Sequence, residues 1–237
     1  MEIIGYGILL LTVIFGIMSA IKLFQNYMET KRIPTFYFFL TYIFFIIGGI
    51  LLTVEKMCFS TFGLPDLGAL MAMIAIGCNG IAFVCGIRFI ILSTYPERSK
   101  ITTLFTAILS IIFVGVIYYA IITGPPITNI ENFELVYIPI INIIIYATLI
   151  PLLLIMCLIF YKYSFELRNI DKANSNRTLW LATGILIFLL GLLAEYGPIF
   201  PTILSVPFRI FLLTGTFIMY IAFFMPQWFK ERIGWKD

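Results

Sequence analysis

The sequence DLGALMAMIAIGCNGIAFVCGIRFIIL, residues 66–92, predicts a hydrophobic helix long enough to cross a lipid bilayer. Small side chains recur along one face of it, at intervals of four and three residues. They are Gly68, Ala72, Ala75, Asn79, Ala82 and Gly86. In lipid, helices associate largely by close packing on such residues. We therefore expect this helix at the centre of a bundle, with the Asn79 amide paired to another helix or to a buried water.

The composition of the whole chain indicates a membrane protein. Of its 237 residues, 62% are hydrophobic and 11% are charged, whereas a soluble domain carries about 25% charged residues. The apolar residues form blocks of about 20 or more, which is the length of a spanning helix. The sequence thus predicts an all-α integral membrane protein, with one seven-helix transmembrane domain over residues 1–237.

The seven blocks also predict an orientation. The expected spans are 3–25, 35–56, 66–93, 101–123, 134–164, 178–199 and 203–228. Most of the fifteen basic residues fall in the first, third and fifth joints and in the tail. The positive-inside rule then puts the N-terminus outside and the C-terminus in the cytoplasm of a multi-pass cell-membrane protein. The tail, 225–235, mixes aromatic and basic residues and predicts a short interfacial helix on the inner surface.

Several kinds of chemistry are excluded by residues that the chain lacks. It contains no histidine, which rules out imidazole-ligated haem, histidine-based metal sites and Ser-His or Cys-His catalysis. Its four cysteines form no CxxC pair, and no glycine-rich phosphate loop is present. The net charge of +3 reflects the inner loops. We expect neither an enzyme nor a cofactor, a metal or a nucleic-acid partner.

The fifth predicted helix contains two prolines, Pro139 and Pro151, either of which can kink it. Asn142 and Tyr146 lie one turn apart just after the first proline. A kink beside two polar side chains is typical of a cavity wall or a hinge. The alternative is that the prolines only shape the helix and the polar atoms satisfy the freed carbonyls.

The clearest functional signal is a pair of opposite charges in helices six and seven. Glu195 shares a face of helix six with Gly184, Phe188 and Gly191, and Arg209 shares a face of helix seven with Leu213, Thr216 and Tyr220. Counted from Pro201, Glu195 is six residues back and Arg209 eight residues forward, so their depths differ by roughly 3 Å. A single charge at the bilayer centre costs on the order of 2.5 to 3.5 kcal/mol, which favours an ion pair.

This expected pair would lie in the outer half of the bundle, near Glu55, Lys56 and Tyr196 at the rim. Together with Asn79, Asn142 and Tyr146 these residues make up the predicted ligand-binding set. One interpretation is an outward-facing site for a polar or charged small molecule. The other is a structural clasp that closes a tight helical hairpin.

In topology, over the whole chain, the layout resembles that of seven-transmembrane receptors and microbial rhodopsins. A retinal protein implies a lysine on helix seven, where the only basic residue is Arg209, so retinal attachment is not expected. After helix three, where G-protein-coupled receptors carry an acidic-Arg-aromatic triplet, this chain has Tyr95-Pro96-Glu97-Arg98.

Two classes of function follow, with a third open. A receptor or sensor would bind an outer ligand and pass the change through the kinked fifth helix to the inner loops. Because no effector domain follows helix seven, it would need a separate cytoplasmic effector protein. A transporter or channel would need a continuous polar route or paired half-repeats, and the polar groups cluster in the outer half instead. A membrane scaffold or subunit without a ligand is the third possibility.

Overall fold

The computed structural model describes residues 2–94, 96–123, 127–131, 134–137, 150–196 and 202–235. Within these residues the backbone forms eight α-helices, numbered here in chain order. They are α1 (Glu2–Thr30), α2 (Ile33–Met57), α3 (Pro65–Thr94), α4 (Ser99–Thr123), α5 (Ile150–Leu167), α6 (Lys172–Tyr196), α7 (Thr202–Phe224) and α8 (Gln227–Ile233). A π-helical turn, Cys58–Phe62, lies between α2 and α3, and a 3₁₀ turn, Pro96–Arg98, precedes α4.

Four described helical stretches are long and apolar enough to cross a membrane. They are Gly7–Thr30, Ile33–Glu55, Pro65–Thr94 and Lys172–Leu192. Phe208–Phe224 and Gln227–Ile233, which meet at a bend of 84°, make a fifth if the pair is counted as one span. The helices confirm the predicted helical class and indicate a multi-pass membrane protein. Among the described residues they account for four or five of the seven predicted spans.

A short antiparallel hairpin follows α4. Its strands are β1 (Ile127–Glu131) and β2 (Glu134–Tyr137), and they pair Ile130 with Leu135. The prediction that helix five begins at residue 134 is therefore wrong. The sequence Leu135-Val136-Tyr137 consists largely of types that favour strands, and Pro139 disfavours a helical conformation in the residue before it.

Helix α3 lies at the centre of the bundle, as its sequence predicts. All six members of its small-residue stripe are buried. A Cβ on Gly80 would overlap the ring of Phe113 from α4, and one on Gly86 would lie 2.6 Å from Cε of Met156 from α5. The small residues thus admit large side chains from neighbouring helices, which is the close packing that helix association in lipid requires.

Helices α6 and α7 approach so closely that their backbones touch at glycine. A Cβ on Gly215 of α7 would lie 2.6 Å from the backbone nitrogen of Phe188 and 2.7 Å from the carbonyl oxygen of Gly184. The predicted face of helix six therefore does pack against helix seven. Helix α7 meets it with Leu212, Gly215 and Met219, which are not on the face that the sequence grouped with Arg209. Tyr220 instead packs against Phe15 of α1.

Helix α6 begins at Lys172, earlier than the predicted start at 178, because Asp171 caps it. The Asp171 carboxylate accepts hydrogen bonds from the backbone N–H of Asn174 at 3.0 Å and from its side-chain amide at 2.5 Å. Such a cap satisfies a donor that has no partner within the helix. The backbone N–H and then the side-chain amide hold the pKa of the Asp171 carboxyl below its usual value.

This cap makes the start of α6 sensitive to acid. Because the folded pKa of Asp171 is depressed, its stabilisation is fully present above the unfolded pKa and is lost as the pH falls through the folded pKa. We expect the Asn174 amide resonance, followed by NMR in nanodiscs, to shift in acid with a midpoint below that of an unfolded aspartate. Asp171→Asn, which keeps a capping side chain, should abolish the titration. A midpoint at or above the unfolded value would contradict the cap.

The predicted C-terminal helix is confirmed as α8, and it packs against the ends of α6 and α7. Met225 has a left-handed backbone with φ of 50°, and the chain turns there into α8. Phe229 and Ile233 of α8 are buried, and the ring of Phe229 meets Trp180 of α6 edge-on at 5.2 Å. Helix α8 is thus a docked part of the fold.

Arg177 of α6 holds this junction together. Its Nε donates a hydrogen bond of 2.9 Å to the carbonyl oxygen of Ala222, near the C-terminus of α7. The guanidinium carbon lies 6.0 Å from the ring centroid of Phe223 and 5.9 Å from that of Trp235. The neighbouring Asn176 donates to the carbonyl oxygen of Ile233 at 3.3 Å. Polar side chains at the start of α6 therefore cap the ends of both α7 and α8.

Candidate functional site

A cavity of about 90 Å³ lies inside the bundle, between six helices. We call it the central cavity. Its lining residues come from α1 (Leu9, Thr12, Val13, Gly16), α2 (Phe38, Thr41, Tyr42, Phe45, Ile46, Gly49, Leu52), α3 (Asn79), α5 (Leu153, Met156), α6 (Ile185, Phe188, Leu192) and α7 (Leu212, Thr216, Met219). A water needs about 10 to 15 Å³ on this measure, so the cavity has room for several waters or for one small molecule.

The wall is more apolar than its residue types imply, because its three threonines bond within their own helices. The hydroxyls of Thr12, Thr41 and Thr216 each donate to the backbone carbonyl four residues earlier, at 2.9, 3.0 and 2.9 Å. This back-bonding is common for threonine in membrane helices. Cavities with wholly apolar walls take up apolar molecules, and most of this wall is of that kind.

Asn79 supplies one polar side chain of the wall. It is 3% exposed and lies against α2, where a Cβ on Gly48 would overlap its amide. The sequence predicts that this amide finds a partner inside the bundle, and Asn79 is one of the residues that take part in an interaction in the structure. Asn79 is the member of the predicted ligand-binding set that lines the central cavity.

Tyr42 supplies a second polar group, and its hydroxyl has no hydrogen-bond partner among the described residues. The side chain is 5% exposed. Ser19 lies beside it, but the Ser19 hydroxyl donates to the carbonyl oxygen of Phe15 at 2.9 Å and makes no bond of acceptable geometry to Tyr42 Oη. A buried polar group without a partner is costly in a protein interior.

Two charged residues of the predicted set border the cavity at one end. Glu55 lies one turn beyond Leu52 on α2, and Arg209 lies one turn before Leu212 on α7. Both are buried, at 3% and 7% exposed, and both take part in interactions within the structure. Leu52 and Leu212 line the cavity, so each charged residue lies one turn from a lining leucine, on the side that we call the leucine end.

The remaining members of the predicted set stay untested. Asn142 and Tyr146 lie outside the described residues. Glu195 and Tyr196 belong to the last turn of α6 and Lys56 to the last turn of α2, but the described atoms do not include their side chains. The Glu195 to Arg209 ion pair therefore remains a prediction.

The sequence does not identify Tyr42 or the three threonines as residues that line a cavity. Tyr42 stands in the aromatic run 36–45, which is typical of a lipid-facing helix, and nothing in the run distinguishes it from Tyr37. Only its hydroxyl, which has no hydrogen-bond partner among the described residues, marks it, and that is a property of the packed bundle. No protein-family model and no curated protein matches this chain.

Proposed function

We propose that this chain is a seven-transmembrane receptor or sensor of the cell membrane, with its N-terminus outside and its C-terminus in the cytoplasm. It binds a small molecule in the central cavity and signals through a separate cytoplasmic effector protein. The observation that carries this proposal is the cavity itself, which draws its wall from six helices. An occupant that touches six helices binds more tightly to one arrangement of those helices than to another. Such a difference in binding free energy is what a ligand-driven change of conformation requires.

The lining indicates which molecules fit. Among the described residues that form the wall none is charged, and its threonine hydroxyls are satisfied internally. A small, mainly apolar molecule gives up few hydrogen bonds with water when it enters such a site, whereas an ion would lose its hydration without gaining a partner. The charges of Glu55 and Arg209 lie just beyond the leucine end, where an outer ligand would arrive in the proposed orientation.

Helices α6 and α7 connect the cavity to the cytoplasmic end of the proposed topology. Ile185 lines the cavity and Arg177 holds α8, and eight residues of helix, about 12 Å, separate them. A shift of α6 or α7 around an occupant therefore reaches the α8 junction through one rigid element. This supports the inner loops and α8 as the surface that an effector would sense.

A transporter is the second candidate, and the apolar wall favours a receptor over it. A solute that prefers hydrocarbon crosses the bilayer without a carrier, so a cavity of this chemistry is of more use for detection than for transport. A membrane scaffold without a ligand would not require a cavity, so the cavity favours a receptor over that alternative as well.

The proposal is tested with toluene as a probe of the cavity, using the protein in nanodiscs. Toluene should raise the melting temperature of the wild type, by mass action on the folded state. Ile185→Phe, which fills the cavity, should abolish the rise. The matched control is Ile108→Phe, since Ile108 is half exposed on α4. Leu153→Phe, on α5, serves as a second filled variant.

Hydrogen exchange measured on the same samples separates a receptor from a passive cavity. In a receptor, toluene should alter protection in residues 168–171 and in α8, and Ile185→Phe should remove the effect. If wild type and Ile185→Phe respond alike, toluene acts through the lipid and the proposed site is wrong. Stabilisation without any change near α8 would contradict the sensor role.

A further inference from the structure

The Tyr42 hydroxyl is the feature of the central cavity that the proposed function does not yet use. It is buried, it lacks a partner among the described residues, and Tyr42 lines the cavity. The ring is held by aromatic neighbours, Phe38 at 5.5 Å and Phe223 at 6.2 Å, both edge-on. The hydroxyl therefore has little freedom to turn toward a distant acceptor.

Within the described part of the bundle, no acceptor is in bonding geometry with the Tyr42 hydroxyl. In lipid the surroundings offer no hydrogen bonds, so the Tyr42 hydroxyl depends on protein, a buried water or an occupant. The hydroxyls of Ser19 and of the wall threonines donate to backbone carbonyls of their own helices. Their oxygens could still accept, but none lies in hydrogen-bonding geometry with Tyr42 Oη. An occupant that brings an oxygen acceptor to Tyr42 thus gains a hydrogen bond that the empty cavity leaves unmade.

The rest of the wall decides what else the occupant carries. Leu9, Leu52, Leu192 and Leu212 line the cavity and belong to one buried cluster, whereas Tyr42 belongs to a different one. Along α2, Tyr42 and Leu52 are ten residues apart, which is about 15 Å of helix. An oxygen at one end and a hydrocarbon body at the other would therefore match the wall.

We propose that the ligand of this site is a small neutral amphiphile, a ketone or an alcohol with a hydrocarbon body, whose oxygen accepts a hydrogen bond from Tyr42 Oη. This inference rests on the proposed function, because it names the class of molecule that the central cavity detects. The hydrocarbon body packs among the leucines, and no charge on the ligand is required.

The test compares two probes of equal length, 2-heptanone and heptane, on wild type and Tyr42→Phe in nanodiscs. Wild type should favour 2-heptanone over heptane about tenfold more strongly than Tyr42→Phe does, which corresponds to one hydrogen bond. Comparing the ratio between the two proteins cancels the different partition of the probes into lipid. Tyr118→Phe is the control, since Tyr118 is 65% exposed on α4, and it should keep the wild-type ratio.

The protein without ligand provides an independent readout. Because Tyr42→Phe removes a buried hydroxyl that has no partner, it should raise the melting temperature of the empty protein, while Tyr118→Phe should leave it unchanged. A lower melting temperature for Tyr42→Phe would mean that the hydroxyl is already paired, and would overturn the inference.

The outcomes also separate this inference from the proposed function. If heptane binds wild type but Tyr42→Phe leaves the probe ratio unchanged, the cavity stands and the role of Tyr42 is wrong. If neither probe binds wild type, the proposed ligand site fails, and the amphiphile inference fails with it.

Discussion

Gly215→Ala should destabilise the protein by about 3 kcal/mol, at the upper end of what overpacking costs. The new Cβ would meet the backbone nitrogen of Phe188 and the carbonyl oxygen of Gly184, at 2.6 and 2.7 Å. Backbone atoms cannot turn away as a side chain can, so α6 and α7 must separate. Thermal unfolding in detergent, together with the folded fraction on gel filtration, measures the loss.

Substitutions of two other glycines provide the comparison for the size of this effect. A Cβ on Gly184 would lie 2.8 Å from Cγ of Met219 and 3.1 Å from the carbonyl oxygen of Gly215. The nearer atom belongs to a side chain that can adjust, and the backbone atom is farther away than at Gly215, so Gly184→Ala should cost less. A Cβ on Gly115 would have nothing within 4 Å, so Gly115→Ala should gain about 0.5 to 1 kcal/mol from helix propensity. If Gly215→Ala proved as mild as Gly115→Ala, the close approach of α6 and α7 would be wrong.

Arg177→Ala should release α8 and raise its undocked population about a hundredfold. The substitution removes a charge-assisted hydrogen bond, worth about 1.5 to 3 kcal/mol, from the carbonyl of Ala222. It also removes the cation–π contacts of the guanidinium with the rings of Phe223 and Trp235, at about 0.5 to 1 kcal/mol for each ring. Hydrogen exchange in residues 227–233 should accelerate accordingly.

Two further variants make the Arg177 test specific. Arg177→Lys keeps the charge but loses the planar group that bonds and stacks together, so its exchange should be intermediate. Arg168→Ala is the control for lost charge, because Arg168 is exposed at the end of α5, and exchange in α8 should not change. Equal exchange in Arg177→Ala and wild type would show that α8 docks through its apolar face alone.

The central position of α3 is predictable from sequence because small residues at helical spacing have one main use in lipid. Asn79 is predictable as a site residue for a related reason, since it is the one amide in that stripe. The docking of α8 is not predictable in this way. Arg177 stands in a polar run that is typical of a loop, and its acceptor Ala222 is 45 residues away in the chain.

The cavity lies beyond sequence reasoning for a different reason. A cavity is space left between side chains, and its volume depends on how six helices pack, not on any one of them. Arg209 and Glu55 stand out in the sequence because a buried charge in a membrane helix is rare, and each lies one turn from a leucine that lines the cavity. Whether Arg209 pairs with Glu195 remains a prediction.

Thr12, Thr41 and Thr216 have hydroxyl groups, yet the wall they form exposes hydrocarbon. Each hydroxyl already has its acceptor inside its own helix, so the arrival or departure of an occupant breaks no hydrogen bond of these residues. Dehydration of the threonines therefore adds nothing to the kinetic barrier for exchange. For the occupant proposed above, we therefore expect the residence time to depend on the packing of the apolar side chains around the cavity.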